Sequence, residues 1–122
     1  MQKRILFAFF IAFWGILFLS SCTSDTLVPE VIDPGKQVSF SSDIQPIFNA
    51  NCVRCHSGST APELREGKSY SSLISGNYIN KTTPDQSILY LEMAPNGGMS
   101  SYSNSSDAQL VLLWIQQGAN EN

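Results

Sequence analysis

The chain has 122 residues, of which 14% are charged, and its formal net charge is −3. This length is sufficient for one small domain, which excludes a multidomain architecture within the chain. The sparse, slightly acidic charge excludes nucleic-acid binding, because that function requires a basic face. The chain contains three cysteines and a single histidine, His56, and these residues carry its most distinctive chemistry.

The start of the chain has the pattern of a secretory signal peptide. Lys3 and Arg4 precede an apolar run over residues 5–19, which is shorter than the about 20 apolar residues that a membrane-spanning helix needs. Residues 19–22 read Leu-Ser-Ser-Cys and resemble a bacterial lipobox, in which the cysteine receives a diacylglycerol and the bond before it is cut. We therefore expect cleavage before Cys22 and lipid on its thiol. An uncleaved N-terminal anchor is the alternative, and either arrangement tethers the protein to a membrane.

A linker and one domain follow the signal peptide, which covers residues 1–21. Residues 22–39 contain two prolines, one glycine and no hydrophobic period, which is typical of a flexible linker. Such a linker separates the domain from the membrane and lets it turn toward partners. The folded domain is predicted over residues 40–122.

Two short helices are predicted in the first half of this domain. Ser42 and Gln45 have the spacing of a capping box, which predicts that a helix begins at Ser42 and runs to Cys52. A second helix is predicted over residues 69–74 and is ended by Gly76.

Two further helices are predicted in the second half of the domain. Thr83 and Pro84 suit the N-cap and the first position of a helix that runs to about Met93. Ser106 begins another capping box, and Gly118 ends the helix that follows it. Because no segment has a convincing strand pattern, the predicted fold class is all-α, with three or four short helices joined by long loops.

The segment Cys52-Val53-Arg54-Cys55-His56 is the most informative motif of the chain. C-x-x-C-H is the attachment signature of a c-type haem, because two thiols one helical turn apart can reach the two vinyl groups of the porphyrin. The motif predicts one covalent haem c, with Cys52 and Cys55 as thioether residues and His56 as the proximal iron ligand. A buried porphyrin would also supply an apolar centre to a domain whose own core is small.

Other roles for these cysteines fit less well. A structural zinc site needs four Cys or His ligands, and the domain offers only Cys52, Cys55 and His56. A thioredoxin-like redox pair expects a βαβ context, which the pattern lacks. A plain disulfide would leave His56 without a role, and with Cys22 lipidated no other thiol remains.

The distal iron ligand cannot be histidine, because His56 is the only one. Met99 lies in a loop rich in Gly, Ser and Asn, where an apolar side chain has no obvious packing role and the backbone is free to place sulfur over the iron. Met93 lies four residues after Leu89 at the end of a predicted helix, a spacing more typical of core packing. We expect Met99 as the distal ligand, with Met93 as the alternative and an open or other site as the third option.

Residues 40–122 resemble a class I, mono-haem cytochrome c domain of the type found in exported bacterial lipoproteins. The matching parts are the helical segment 44–48 before the haem motif, the segment 87–90, a methionine in a loop, and the segment 114–119. The resemblance implies a small cytochrome c-like fold in which the first and last helices cross and pack beside the haem.

The resemblance also implies particular contacts. Trp114 would pack beside the haem or in the core, in contact with Phe48 or Ile47. The carbonyl of Pro62 would accept a hydrogen bond from the Nδ1–H of His56 and so fix the imidazole.

The implied function is the transfer of single electrons, without enzyme activity. An iron ligated by His and Met has no open position for a substrate, and methionine ligation raises the reduction potential. The protein would be a monomer of the bacterial cell envelope, lipid-anchored on the periplasmic side or at the outer membrane, and would dock transiently with other redox proteins. One alternative is a haem-based sensor or small catalytic haem domain with an open distal site. The other is a non-haem surface lipoprotein that acts as a binding module.

Overall fold

The computed structural model describes residues 32–122. The predicted signal peptide, the expected lipidation site Cys22 and the first part of the predicted linker lie outside the described residues. Within residues 32–122 the chain forms four α-helices and no strand, which confirms the predicted all-α class. The helices are α1 (Gln45–Asn51), α2 (Ser69–Ser75), α3 (Ile88–Met93) and α4 (Ser105–Gln116). No helix in this range is long and apolar enough to cross a membrane.

The first helical segment begins earlier than the capping box predicts. A π-helical turn, Phe40–Ile44, leads directly into α1, and the Ser39 hydroxyl accepts a hydrogen bond from the backbone N–H of Ser42 at 3.2 Å. The predicted N-cap at Ser42 is therefore wrong. The side chain of Gln45 does not close a capping box, because it is buried and bonds the carbonyl of a distant loop.

The helix predicted to begin at Thr83 is interrupted. A 3₁₀ turn, Pro84–Gln86, is followed by Ser87 in an extended conformation, and only then does α3 begin. The Thr83 side chain makes no capping hydrogen bond. Its backbone N–H instead donates to the side-chain oxygen of Asn80 at 3.0 Å, which closes the turn from the preceding loop.

The ends of α2 and α4 agree with the predicted glycine stops, but the start of α4 does not. Gly76 is the C-cap of α2, and Gly118 follows α4 with a φ of +102°, a backbone conformation that glycine adopts readily. At the other end of α4 the side chain of Asn104 accepts a hydrogen bond from the backbone N–H of Asp107 at 2.8 Å. The N-cap is therefore Asn104, and the predicted start at Ser106 is two residues late.

The core is built around an aromatic cluster of Phe40, Tyr70 and Trp114. The ring centroid of Phe40 lies 5.4 Å from that of Tyr70 and 5.1 Å from that of Trp114. Phe48 is fully buried and joins the cluster through Phe40, with 6.3 Å between their centroids. The expected partner of Trp114 was Phe48 or Ile47, whereas its aromatic contacts in the structure are with Phe40 in the π-helical turn and, at 6.5 Å, with Tyr70 in α2.

The end of the predicted linker packs onto the domain. Val38 is buried, and its backbone N–H donates to the side-chain oxygen of Gln117 at 2.9 Å. The backbone N–H of Ser41 donates to the carbonyl of Asn122, also at 2.9 Å. Residues 36–41 therefore lie beside residues 117–122, and the packed chain begins slightly before residue 40.

Candidate functional site

The chemically distinctive residues of the C-x-x-C-H motif lie on one turn at the end of α1. Cys52 is the C-cap of that helix, and its carbonyl accepts hydrogen bonds from the backbone N–H groups of Cys55, at 3.1 Å, and His56, at 2.9 Å. The turn keeps the two thiols and the imidazole close together. Both cysteines are free thiols; Cys52 is half-buried and Cys55 is exposed.

A largely apolar cavity of about 480 Å³ lies against this turn. Its wall includes Cys52, Cys55 and His56 together with both candidate methionines, Met93 and Met99. The volume falls within the roughly 300–1,000 Å³ that cofactor and ligand sites occupy. The other large apolar residues of the wall are Phe48, Leu64, Tyr78, Ile88, Leu89 and Tyr102.

The two methionines reach the cavity from different settings. Met93 is the last residue of α3, is 5% exposed and packs within the hydrophobic core. Met99 lies in the loop after α3 and is 40% exposed. The structure thus brings both candidate sulfurs to the same cavity, one from a packed helix and one from a loop.

The imidazole of His56 is held by the loop that follows it. Its Nδ1 lies 2.9 Å from the carbonyl oxygen of Pro62, and because a carbonyl only accepts, Nδ1 carries the hydrogen. The backbone N–H of Leu64 donates to the carbonyl of His56 at 2.8 Å, which closes the loop onto the motif. These contacts place Pro62 where the resemblance implies and leave Nε2 as the ring nitrogen that can accept a metal.

The thiol of Cys52 is not activated by its surroundings. Burial raises the pKa of Cys52, and the negative charge of Asp107 raises this pKa further. Redox-active Cys-x-x-Cys pairs have a lowered thiol pKa, so this site lacks the electrostatics of a thioredoxin-like centre. In the part of the chain that the structure describes, no group of three or more His, Cys, Asp or Glu side chains is arranged to hold a metal ion.

Trp114 belongs to the core and is not among the residues that line the cavity. It is 1% exposed, its ring packs on Phe40, and its Nε1–H donates to the carbonyl of Asn120 at 3.0 Å. Of the two roles considered for this tryptophan, the structure therefore places it in the core position, behind the cavity wall.

Two exposed apolar residues line the cavity although neither was predicted as a site residue. Ile88 is 47% exposed at the start of α3, and Tyr102 is 52% exposed at the end of a 3₁₀ turn, Ser100–Tyr102, ahead of α4. Both line the cavity with Met99. One sequence signal for the cavity wall was present at position 102. It is an aromatic residue within a run of Ser and Asn, where a fully solvated loop would usually carry polar residues.

A second, polar cleft of about 320 Å³ adjoins the cavity. It shares Asn51, Tyr102 and Ser103 with the cavity wall and is also lined by Arg54 and Asn104. Arg54, the exposed residue between the two cysteines, therefore brings a positive charge close to a largely apolar cavity whose wall also includes Glu92.

Comparison of the chain with protein families, curated proteins and solved structures found no match. The candidate site consists of two thiols, an oriented imidazole and two thioethers around one apolar cavity.

Proposed function

We propose that the protein is a membrane-tethered c-type cytochrome that carries single electrons between redox partners through one covalent haem c. The observation that carries the proposal is the cavity wall, which combines Cys52, Cys55 and His56 with two methionines. Thiols next to a proximal imidazole, with a thioether available as a second ligand, form the donor set of a His/Met-ligated c-type haem.

The residues of the cavity fit a haem c, and five of them would have a defined role in holding it. Cys52 and Cys55 would form the thioether bonds, and the Nε2 of His56 would be the proximal ligand. The Pro62 carbonyl, 2.9 Å from Nδ1, would hold the imidazole plane and increase its basicity. Met99 would be the distal ligand. When bound, the haem supplies a reversible one-electron change at iron, while the apolar walls exclude water and raise the reduction potential.

A small cytochrome c-like fold is part of this proposal. It is supported by the position of the motif at the end of α1, by the packing of the preceding π-helical turn against α4, and by the long loops that close the cavity. A lipid on Cys22 would tether the domain within the bacterial envelope, on the periplasmic side or at the outer membrane.

The partners would be other redox proteins that dock transiently on the monomeric domain. Ile88, Met99 and Tyr102 are exposed apolar side chains on the cavity wall, which supports contact at this edge. The charged residues near them are Glu92 on the cavity wall and Arg54 in the neighbouring cleft. Small, short-lived interfaces of this kind are typical of electron carriers.

One observation favours a second candidate function. Met99 is 40% exposed, so a loop displacement would open the distal side of the iron. The protein would then be a haem-based sensor or a small catalytic haem domain. Carbon monoxide binding separates the candidates, because a closed His/Met site resists the ligand and an open site takes it up rapidly.

The test is the optical spectrum of the full chain, produced with haem-attachment machinery, in the oxidised and reduced states. We expect covalent haem, a sharp reduced α-band, a weak sulfur–iron charge-transfer band when oxidised, and a positive potential against hydrogen. A Cys52→Ser, Cys55→Ser double variant is the matched control and should lose the covalent bond. A high-spin spectrum would favour the candidate function with an open distal site. A protein without haem would favour the alternative of a non-haem binding module.

A further inference from the structure

The loop that carries Met99 is attached to the end of α3 by its backbone. The backbone N–H of Met99 donates to the carbonyl of Glu92 at 2.8 Å. The N–H of Gly97 donates to the carbonyl of Ala94, also at 2.8 Å, so the chain turns back on the helix within a few residues. Met99 is therefore fixed in register with α3 even though it lies outside any helix.

The side chain of Glu92 adds a second attachment at the adjacent residue. Its Oε2 accepts a hydrogen bond from the backbone N–H of Gly98 at 3.0 Å. Glu92 thus holds two consecutive residues of the loop, one through its carbonyl and one through its carboxylate. The hydroxyl of Ser103 donates to the carbonyl of Met93 at 2.9 Å and lies 3.4 Å from that of Met99, which ties the far side of the loop to the same helix end.

The close approach of loop and helix requires glycine at position 97. A Cβ atom on Gly97 would overlap the backbone carbonyl oxygens of Leu91 and Glu92. A Cβ on Gly98 would meet only the carboxylate tip of Glu92, at 2.5 Å, and that tip would have to leave its bond with the Gly98 N–H. The two neighbouring glycines therefore differ in what a methyl group would displace.

We propose that Glu92 is a positioning residue that selects Met99, rather than Met93, as the distal ligand; this rests on the proposed function. Both methionines line the cavity, but Met93 is buried in the hydrophobic core whereas Met99 lies in a loop. A loop residue ligates reliably only if its backbone is held in place, because ordering a free segment costs conformational entropy. The two bonds from Glu92 hold it against α3.

The experiment compares Glu92→Ala with Glu92→Gln in the haem-loaded full chain, with Glu66→Ala as the control for loss of one exposed carboxylate. The readouts are the sulfur–iron charge-transfer band and the rate of carbon monoxide binding to the reduced protein. For Glu92→Ala we expect a weakened band and binding about tenfold faster, as for loss of a hydrogen bond to a charged group. Glu92→Gln should behave like the wild type, because its amide oxygen still accepts from Gly98.

The reduction potential does not decide the question, since both Glu92 variants remove a charge from the cavity wall. If Glu92→Ala keeps the wild-type band and binding rate, the proposal is overturned. It is also overturned if Glu92→Gln loses the band as completely as Glu92→Ala, because charge and not attachment would then be responsible. A wild-type protein without a sulfur–iron band would instead overturn the proposed function.

Gly97→Ala and Gly98→Ala form a second pair of variants, which tests the attachment of the loop to α3 through steric overlap. Gly97→Ala should weaken the charge-transfer band and increase hydrogen exchange at the amides of Gly98 and Met99 about tenfold. Gly98→Ala should weaken the band as Glu92→Ala does, because a Cβ at position 98 displaces the Glu92 carboxylate from the Gly98 N–H. Hydrogen exchange reports the loop without reference to the haem. Equal protection of these amides in wild type and Gly97→Ala would contradict a loop held by close packing on α3.

Discussion

Met93 and Met99 present the same thioether to one cavity under different constraints. If the proposed haem is bound, we expect Met99→Ala to convert low-spin iron to high-spin iron and to lower the reduction potential, because the distal sulfur would be lost. Met93→Ala should keep the low-spin spectrum but lower the free energy of unfolding by about 2–5 kcal/mol, the usual result of truncating a buried methionine. Optical titration and urea unfolding measure the two effects. The reverse pattern would assign the iron ligand to Met93.

Gln45 shows a second residue whose role depends on its surroundings. It is 4% exposed; its Nε2 donates to Asn49 at 2.8 Å and to the carbonyl of Leu64 at 3.0 Å, and its Oε1 accepts from the Ser69 hydroxyl. Gln45→Ala would leave the last two groups buried without a partner, so we expect a loss of about 1–3 kcal/mol in the free energy of unfolding. Urea unfolding measures this loss, and Gln109→Ala, at an exposed position, is the control. Equal stability of the two variants would contradict this account.

At the residue scale, the sequence predicts those features of the site that depend on residues close together in the chain. The thiols and the imidazole are adjacent in the chain, so their juxtaposition follows from the motif itself. The contact between His56 and Pro62 spans only six residues. The buried bonds of Gln45 join groups 19 and 24 residues away, and no local pattern distinguishes them from a capping box.

At the scale of single helices, the N-cap of α4 offers a direct comparison of pattern and structure. Asn104 accepts the hydrogen bond from the Asp107 N–H, while Ser106, the predicted cap, lies inside the helix. We expect Asn104→Ala to reduce the free energy of unfolding by about 1 kcal/mol. Ser106→Ala should change it by only a few tenths of a kcal/mol, since an interior Ser is a neutral helix residue. Chemical unfolding of both variants checks this, and a larger loss in Ser106→Ala would restore the predicted cap.

The interruption before α3 has a tertiary cause that no helix signal contains. The backbone N–H of Leu89 donates to the carbonyl of Tyr78 at 3.1 Å instead of continuing the helix from the 3₁₀ turn. The Ser87 hydroxyl accepts from the backbone N–H of Asn80 at 2.8 Å. Both bonds go to the preceding loop, which therefore competes with helix formation. Gly118, in contrast, ends its helix through its own backbone preference for positive φ and was predictable, whereas after α2 Gly76 has a φ of −84° and Asn77 takes the positive φ.

For the whole molecule, acid stability depends in part on Asp43. A hydrogen bond from Lys36 Nζ at 2.8 Å, and another from the backbone N–H of Ser39, hold the pKa of Asp43 below its ordinary value of 3.8. A lowered folded-state pKa stabilises the fold above the unfolded-state pKa, and this stabilisation is lost as the pH falls through the folded-state pKa. We expect Asp43→Asn to cost less than about 1 kcal/mol near neutral pH, because the pair is largely solvent-exposed.

The same difference should vanish well below pH 3.8, where the wild-type carboxylate is also protonated. Urea unfolding at neutral pH and well below pH 3.8 measures this difference in the free energy of unfolding. Asp85→Asn, at an exposed carboxylate, is the control and should show little effect at either pH. A cost of Asp43→Asn that is the same in acid and at neutrality would contradict a role for its charge.

The class of the fold was predictable, but the packing of its core was only partly so. Helical spacing identified Phe48 and Trp114 as apolar positions, and both are buried. Phe40 stood at the predicted edge of the domain, yet it provides the ring against which Trp114 packs. Residues near a boundary acquire such roles through contacts that bring distant parts of the chain together, which local periodicity does not encode.

The contact between residues 36–41 and 117–122 has a mechanical consequence. A pull on the chain ahead of residue 36 would first load the bonds of Gln117 with Lys36 and Val38, at 2.7 and 2.9 Å, and then those of Asn122. These bonds pass the load to the end of α4 before it reaches the turn at Cys52. A domain pulled from its N-terminal side would therefore keep the spacing of Cys52, Cys55 and His56 while these terminal contacts hold.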